Sequence, residues 1–142
     1  MTAKILYQTE ATANGGRAGR VHSADGAVNM PLVMPKEMGG SGEKGANPET
    51  LFACGYAACF ESACRFLARK QDLSLGDDTH VTAKVGIGPR AAGGFQLYVT
   101  LSVHLAGLSK EQAEQIARTA HNEVCPYSHA TRGNIDVQLE IL

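Results

Sequence analysis

Apolar and polar residues alternate along three stretches of this chain and recur at helical spacing along two others, and three shorter stretches near the start also read as strands. Val81, Ala83, Val85 and Ile87 alternate with polar neighbours, and Phe95, Leu97, Val99, Leu101, Val103 and Leu105 do so over a longer run. That period of two predicts strands with one buried face. Gly88 to Gly94 joins them as a hairpin loop, and Ile135, Val137, Leu139 and Ile141 predict a closing strand. Nearer the start, Lys4 to Thr12 and Arg20 to Ser23 read as strands separated by the turn-prone Asn14-Gly15-Gly16. Asn29 to Met34 reads as a third, with Pro31 near its edge. Gly39 to Gly45 has the composition of a mobile loop.

The two helical stretches carry their own boundaries. Asn47 suits a helix cap, Pro48 the first helical position and Glu49 the first turn, and nothing breaks the helix before about Lys70. Its centre, Ala53-Cys54-Gly55-Tyr56-Ala57-Ala58-Cys59, is rich in small residues and apolar around most of its circumference, which places it at the heart of the fold. Ser109 and Gln112 form a capping box for a second helix with Ala113, Ile116, Ala117 and Ala120 as its apolar stripe; Pro126 stops it near Val124. Strands, helix, strands, helix, strand is an α+β order with mostly antiparallel pairing.

The length of 142 residues suits a single domain, 1–142, which buries roughly 70% of its unfolded surface and needs no disulfide or metal scaffold. The four cysteines are therefore free for chemistry. A formal charge of −1 offers no basic excess for nucleic acid or an anionic membrane. Met1 to Glu10 has one lysine and no apolar run, so no signal peptide is expected, and no run approaches the ~18 apolar residues of a membrane span. The expected compartment is a reducing cytoplasm, where cysteines are free, metal-bound or catalytic.

Cys54, Cys59 and Cys64 lie on the first helix and Cys125 beyond the second, with no Cys-x-x-Cys pair among them. Five residues turn a helix by ~500°, so successive helix cysteines point ~140° apart and cannot bridge without unwinding. If a disulfide forms within the chain, Cys125 is one partner. Taken singly, a cysteine on an apolar helix is more often a small core residue than a reactive one. Cys125 is different, because it stands at a helix end before Pro126, where backbone leaving regular structure can bring it to another thiol. His121, Cys125 and His129 are spaced by four, as zinc ligands can be, but Pro126 breaks the register and no fourth ligand is near. A Cys-His hydrolase is conceivable, although no histidine has a context that directs it at Cys59.

Four segments in order, Gly15-Gly16-Arg17, Asn47-Pro48-Glu49, Gly55-Tyr56-Ala57-Ala58-Cys59-Phe60 and Val124-Cys125-Pro126-Tyr127-Ser128, resemble the signature segments of the organic hydroperoxide resistance proteins, which belong with the OsmC-type proteins. The resemblance extends over nearly the whole chain. It implies an intertwined α+β homodimer with mostly antiparallel sheets around a central buried helix, and a peroxidase without cofactor or metal. It implies that Cys59 is the peroxidatic residue, that Cys125 resolves it as a disulfide, and that Arg17 and Glu49 are the activating pair. Organic and fatty-acid hydroperoxides are the implied substrates, and a lipoylated protein or small dithiol the implied reductant. Ala18 stands where an acid is more usual, and Cys54 and Cys64 where small or apolar residues are expected.

The residue types suit that chemistry. A thiol of ordinary pKa ~8.5 is only a few per cent thiolate at neutral pH. Lowering it by two units takes about 2.7 kcal/mol of preferential stabilisation of the anion. Cys59 lies twelve residues beyond Asn47, out of reach of the helix dipole, so a cation must act. Arg17 would be that cation, its guanidinium held by Glu49. Glu49 and Cys59 are ~15 Å apart along a straight helix, so either the helix bends near Gly55 or Arg17 and Glu49 come from the other subunit. The second is the expected arrangement. A non-catalytic carrier of apolar ligands and a one-shot redox sensor on the same scaffold are the competing functions.

Overall fold

The computed structural model describes residues 3–142 and divides into an N-terminal unit ending at Pro48 and a second unit, Glu49–Leu142. In the first unit, β1 (Ala11–Asn14), β2 (Arg20–Ser23) and β3 (Asn29–Pro31) form an antiparallel sheet in that order. A 3-10 turn, Gly16–Ala18, carries the chain from β1 into β2, with Gly15 and Gly16 both at positive φ, where glycine alone is unstrained.

Two strands of this unit are shorter than their apolar patterns predict. The β1 ladder begins at Ala11↔Ser23, and just before it the Glu10 carbonyl accepts from the Ala24 N–H. β2 ends at Ser23, so Lys4 to Tyr7 run past the end of their partner, leaving Ile5, Leu6 and Tyr7 exposed. β3 stops at Pro31 because β2 begins at Arg20, its register partner; Leu32 then forms a parallel bridge to Ala46. Residues 39–45 contain no helix or strand, and a 3-10 turn at Lys36–Met38 precedes them.

The second unit is built on its longest alternating run. β4 (His80–Pro89) and β5 (Phe95–His104) pair antiparallel from His80↔His104 to Pro89↔Phe95. β6 (Val137–Ile141) adds to the other side of β5 in parallel, so three of the four strand ladders are antiparallel and the fourth is not. Val99, Leu101 and Val103 of the central strand are buried, as the alternation requires.

α1 (Pro48–Lys70) and α2 (Lys110–Thr119) supply the remaining core. Tyr56, Phe60, Ala63, Cys64, Leu67 and Ala68 form one buried stripe of α1 and join Leu101, Val103, Ala113, Ile116 and Ala117 in a single cluster. Each fully buried large side chain contributes about 1.5–3 kcal/mol. α1 has the length and apolarity to cross a membrane, yet this stripe packs on the chain's own sheet. The opposite side, Cys54, Ala58, Ser62 and Phe66, is exposed in the single chain, so burial follows one stripe where the composition predicted most of the circumference. The α2 capping box forms as expected, with Ser109 and Gln112 exchanging hydrogen bonds of 3.1 Å.

α2 does not end as a simple stop at Pro126. Its last turn widens into a π-turn, Ala120–Val124, closed by the Cys125 N–H on the Ala120 carbonyl at 2.8 Å. Pro126 then opens a short further helix, α3 (Pro126–Thr131). Proline lacks the N–H that a first helical turn leaves unused, so it starts a helix as readily as it ends one.

Candidate active site

Cys59 sits on the middle of α1, one residue before the buried Phe60, and is half-buried. Cys125 is the residue between the π-turn and α3; it is 1% exposed, and its extended backbone ends one helix and caps the next. The two sulfurs are 3.8 Å apart and both are free thiols. Of the three helix cysteines, Cys59 is the one that meets Cys125. Cys54 is exposed, and Cys64 is fully buried.

The chain around Cys125 supplies the donors to both sulfurs. The Ser128 N–H points at Cys125 Sγ at 3.5 Å, the Tyr127 N–H donates to Cys59, and the Cys125 thiol donates to Cys59 Sγ. Burial pushes the Cys59 thiol above its ordinary value; the Tyr127 N–H opposes that shift, and the neighbouring Cys125 adds to it. Burial pushes Cys64 up to about 12, so it stays an unreactive thiol through the physiological range.

An aromatic group stands beside the pair. Tyr127 lies 5.6 Å from Tyr56 and 6.0 Å from Phe52 between ring centres, and Phe52 meets Tyr56 edge-on at 5.9 Å. Gly55 makes this approach possible. A Cβ there would come within 2.6 Å of the Tyr127 hydroxyl and 3.1 Å of its ring. α1 is helical without interruption through Gly55, so the glycine serves contact with Tyr127 rather than breaking the helix. Tyr127 also lines a groove of about 910 Å³ whose wall is mixed, with Phe52, Leu97 and Ile135 beside Arg90, Gln96 and Asn134.

Behind Cys125 lies a polar cluster that the sequence did not single out. Tyr56 Oη is 2.8 Å from Ser128 Oγ and 3.1 Å from Thr131 Oγ1, and His121 Nδ1 is 2.8 Å from the same Ser128 Oγ. Arg132 binds the His121 carbonyl and His129 Nδ1. Burial, then the Arg132 charge, lowers the His121 pKa; burial raises that of Tyr56. His121, Cys125 and His129 are thus not arranged around a common point, and no group of three metal-ligating side chains converges among the described residues.

Arg17 lies half-buried in the 3-10 turn between β1 and β2, and Glu49 in the first turn of α1. The sequence therefore singled out both members of the thiol pair but missed Tyr56, Tyr127, Ser128 and His121 as their supports. One signal was available for Tyr127. A glycine in mid-helix costs about 1 kcal/mol against alanine, which marks a place where something approaches closely.

The profile of OsmC-like proteins matches residues 40–140. The organic hydroperoxide resistance protein of Xanthomonas axonopodis pv. citri is 46% identical, the match covering 97% of this chain and 96% of that one. The chain belongs to the OsmC-like family, among the organic hydroperoxide resistance proteins. Solved structures agree with this membership. The organic hydroperoxide resistance protein of Elizabethkingia anophelis superposes with a TM-score of 0.92 at 47% identity, over 98% of either chain. OhrB of Bacillus subtilis does so with a TM-score of 0.88 at 42% identity, over 97% of this chain and all of that one. The α+β fold expected from the family resemblance is the fold found.

Proposed function

We propose that this chain is a thiol peroxidase that reduces organic hydroperoxides, fatty-acid hydroperoxides among them, to alcohols. The observation that carries the reading is the 3.8 Å separation of two free thiols, one half-buried and one buried, the latter next in sequence to Pro126 and Tyr127 of the groove wall. The names of the relatives support the substrate class.

In the first step the Cys59 thiolate attacks one peroxide oxygen. An S–O bond forms, the O–O bond breaks, and the departing alkoxide takes a proton to become the alcohol. Cys59 is now a sulfenic acid. In the second step the Cys125 sulfur attacks Cys59; an S–S bond forms and the sulfenic oxygen leaves as water. A dithiol of the lipoyl class then reopens the bridge by exchange and is itself oxidised to a disulfide. Such a cycle suits the reducing cytoplasm in which we place the protein.

Burial raises the Cys59 pKa, so the thiolate needs a cation, and Arg17 held by Glu49 is our assignment for it. α1 is helical from Glu49 to Cys59, which spaces them by ~15 Å along the axis. We assign Arg17 and Glu49 to the opposite subunit of a homodimer, so that each active site is shared.

Peroxide consumption with cumene hydroperoxide and dihydrolipoamide tests the reading. Wild type is expected to turn over, Cys59→Ser to be inert, and Cys125→Ser to consume one equivalent and stop at a dimedone-reactive sulfenic acid when no dithiol is present. Mixing Cys59→Ser with Arg17→Ala tests sharing, because a mixed dimer regains one intact site; about a quarter of wild-type sites should recover after random exchange. No turnover by reduced wild type would defeat the peroxidase reading, and no recovery on mixing would defeat the shared site.

A further inference from the structure

Ser128 touches more of the machinery around Cys125 than any sequence pattern suggests. It is fully buried, its N–H points at the Cys125 sulfur, and its hydroxyl lies 2.8 Å from both Tyr56 Oη and His121 Nδ1. These partners come from three places. His121 belongs to the π-turn before Cys125, Ser128 to the helix after it, and Tyr56 to α1, three residues before Cys59 on the same side of that helix. One hydroxyl therefore ties both backbone segments that flank Cys125 to the helix that carries Cys59.

Counting protons gives the cluster a direction. Thr131 donates its hydroxyl proton to the Ser128 carbonyl at 3.1 Å. Tyr56 must then donate to Thr131, Ser128 to Tyr56, and His121 to Ser128 through a protonated Nδ1, since each hydroxyl has one proton to give. All four contacts are satisfied with this assignment. With the proton on Nε2 instead, three hydroxyl protons would have to serve four contacts. No buried side-chain polar atom among the described residues is left without a partner, as a complete chain of this kind requires.

Resting on the peroxidase reading above, we propose that Ser128, with Tyr56 and His121, is a positioning residue for the second step of the reaction. The chain of hydrogen bonds holds Cys125 against Cys59 so that the sulfenic acid is captured as a disulfide before it meets a second peroxide. The π-turn makes such a clamp necessary, because its wide ring leaves the segment before Cys125 without the regular α-helical bonds that would otherwise hold it. None of the three side chains acts on the peroxide.

The test separates the two steps in single-turnover experiments with one equivalent of cumene hydroperoxide. Peroxide loss reads the first step; disulfide formation and dimedone trapping, both by mass, read the second. Ser128→Ala and Tyr56→Phe should leave the first step unchanged and slow the second about tenfold, with more trapped sulfenic acid. His121→Ala should behave likewise, whereas His121→Asn, whose amide can donate from the place of Nδ1, should restore closure. Should Ser128→Ala fail to fold, Tyr56→Phe carries the test, since it keeps the ring and loses only the hydroxyl.

Closure at the wild-type rate in every folded variant overturns the proposal. So does a loss of both steps in proportion to thermal stability, which would make the cluster packing and nothing more. If wild type forms neither sulfenic acid nor disulfide with peroxide, it is the peroxidase reading that fails. Closure is then driven directly by diamide, which removes two electrons and two protons from the thiol pair. The same order of variants is expected, and equal rates again overturn the clamp.

Discussion

The two sulfurs of the pair are held by opposite kinds of structure. Cys59 rides on a 23-residue α-helix whose buried stripe is anchored in the core cluster. Cys125 sits where three irregularities meet: a π-turn, an extended residue and a helix of six residues begun by proline. A disulfide requires about 2.05 Å between sulfurs, so closure from 3.8 Å asks one side to move. Moving α1 would disturb Tyr56, Phe60 and Cys64, all fully buried. Moving Cys125 draws on the slack of the wide turn and on its own extended backbone, with the two flanking segments still tied to Tyr56 through Ser128. In the proposed cycle the contrast has a use: one thiol is fixed to meet a peroxide, and the other stands on adjustable backbone to come to it.

The strongest way to break this contrast is to make the second region regular. Deleting the exposed Asn122 removes the extra residue of the π-turn and lets α2 continue as an α-helix. The Cys125 N–H then meets the Ala120 carbonyl as an ordinary α-helical bond, so Cys125 stays near its place while the segment before it loses the slack of the wide turn. The expected result is loss of the intramolecular disulfide in non-reducing mass analysis, while Cys59 still forms a trappable sulfenic acid. A normal disulfide in that variant would show that the irregular turn is dispensable.

A smaller effect sharpens the contrast from the side of the fixed helix. Gly55→Ala gains about 1 kcal/mol of helix propensity. It also drives the new Cβ to within 2.6 Å of the Tyr127 hydroxyl, so the ring must swing out and lose its contacts with Tyr56 and Phe52, each worth about 0.5–1.5 kcal/mol. Tyr127 is 39% exposed, so it has room to move. These changes nearly cancel in stability but not at the site, because the Tyr127 N–H bonds Cys59 and its ring walls the groove. The melting temperature should stay within a few degrees of wild type while the rate with cumene hydroperoxide falls about tenfold. An unchanged rate would mean that the Tyr127 ring has no part in receiving the substrate.

What could be seen in advance follows the same division between regular and irregular structure. β4, β5, α1 and the Ser109–Gln112 capping box were legible because each is specified by residues a few positions apart. The start of β1 was not, because it depends on where β2 ends and not on the pattern of Lys4 to Thr12 itself. The parallel pairing of β6 with β5 is likewise a property of the assembled sheet. Cys59 and Cys125 could be named through the family resemblance, but the cluster behind them joins Tyr56 to Ser128 and Thr131, more than seventy residues away. No local pattern encodes that contact, and a buried serine in a short helix looks like any other serine.

The smallest expected effect concerns a thiol outside the proposed cycle. Cys64 lies one residue beyond Ala63 on the buried stripe of α1, and burial pushes it from an ordinary 9.0 to about 12. Between those values the unfolded chain has lost the proton and the folded chain still holds it, so raising the pH favours unfolding. The stability tied to this thiol is fully present below pH 9 and is lost on the way to pH 12. From pH 8 to pH 10 the loss is on the order of 1 kcal/mol. Other groups titrate over the same range, so the comparison is made between reduced wild type and Cys64→Ala by urea unfolding at each pH. The variant starts lower at pH 8, by on the order of 1 kcal/mol for the small cavity it leaves, but should decline less steeply toward pH 10. Parallel declines would mean that the Cys64 thiol ionises in the folded protein as freely as in the unfolded chain, and that α1 is looser at its core than its buried stripe implies.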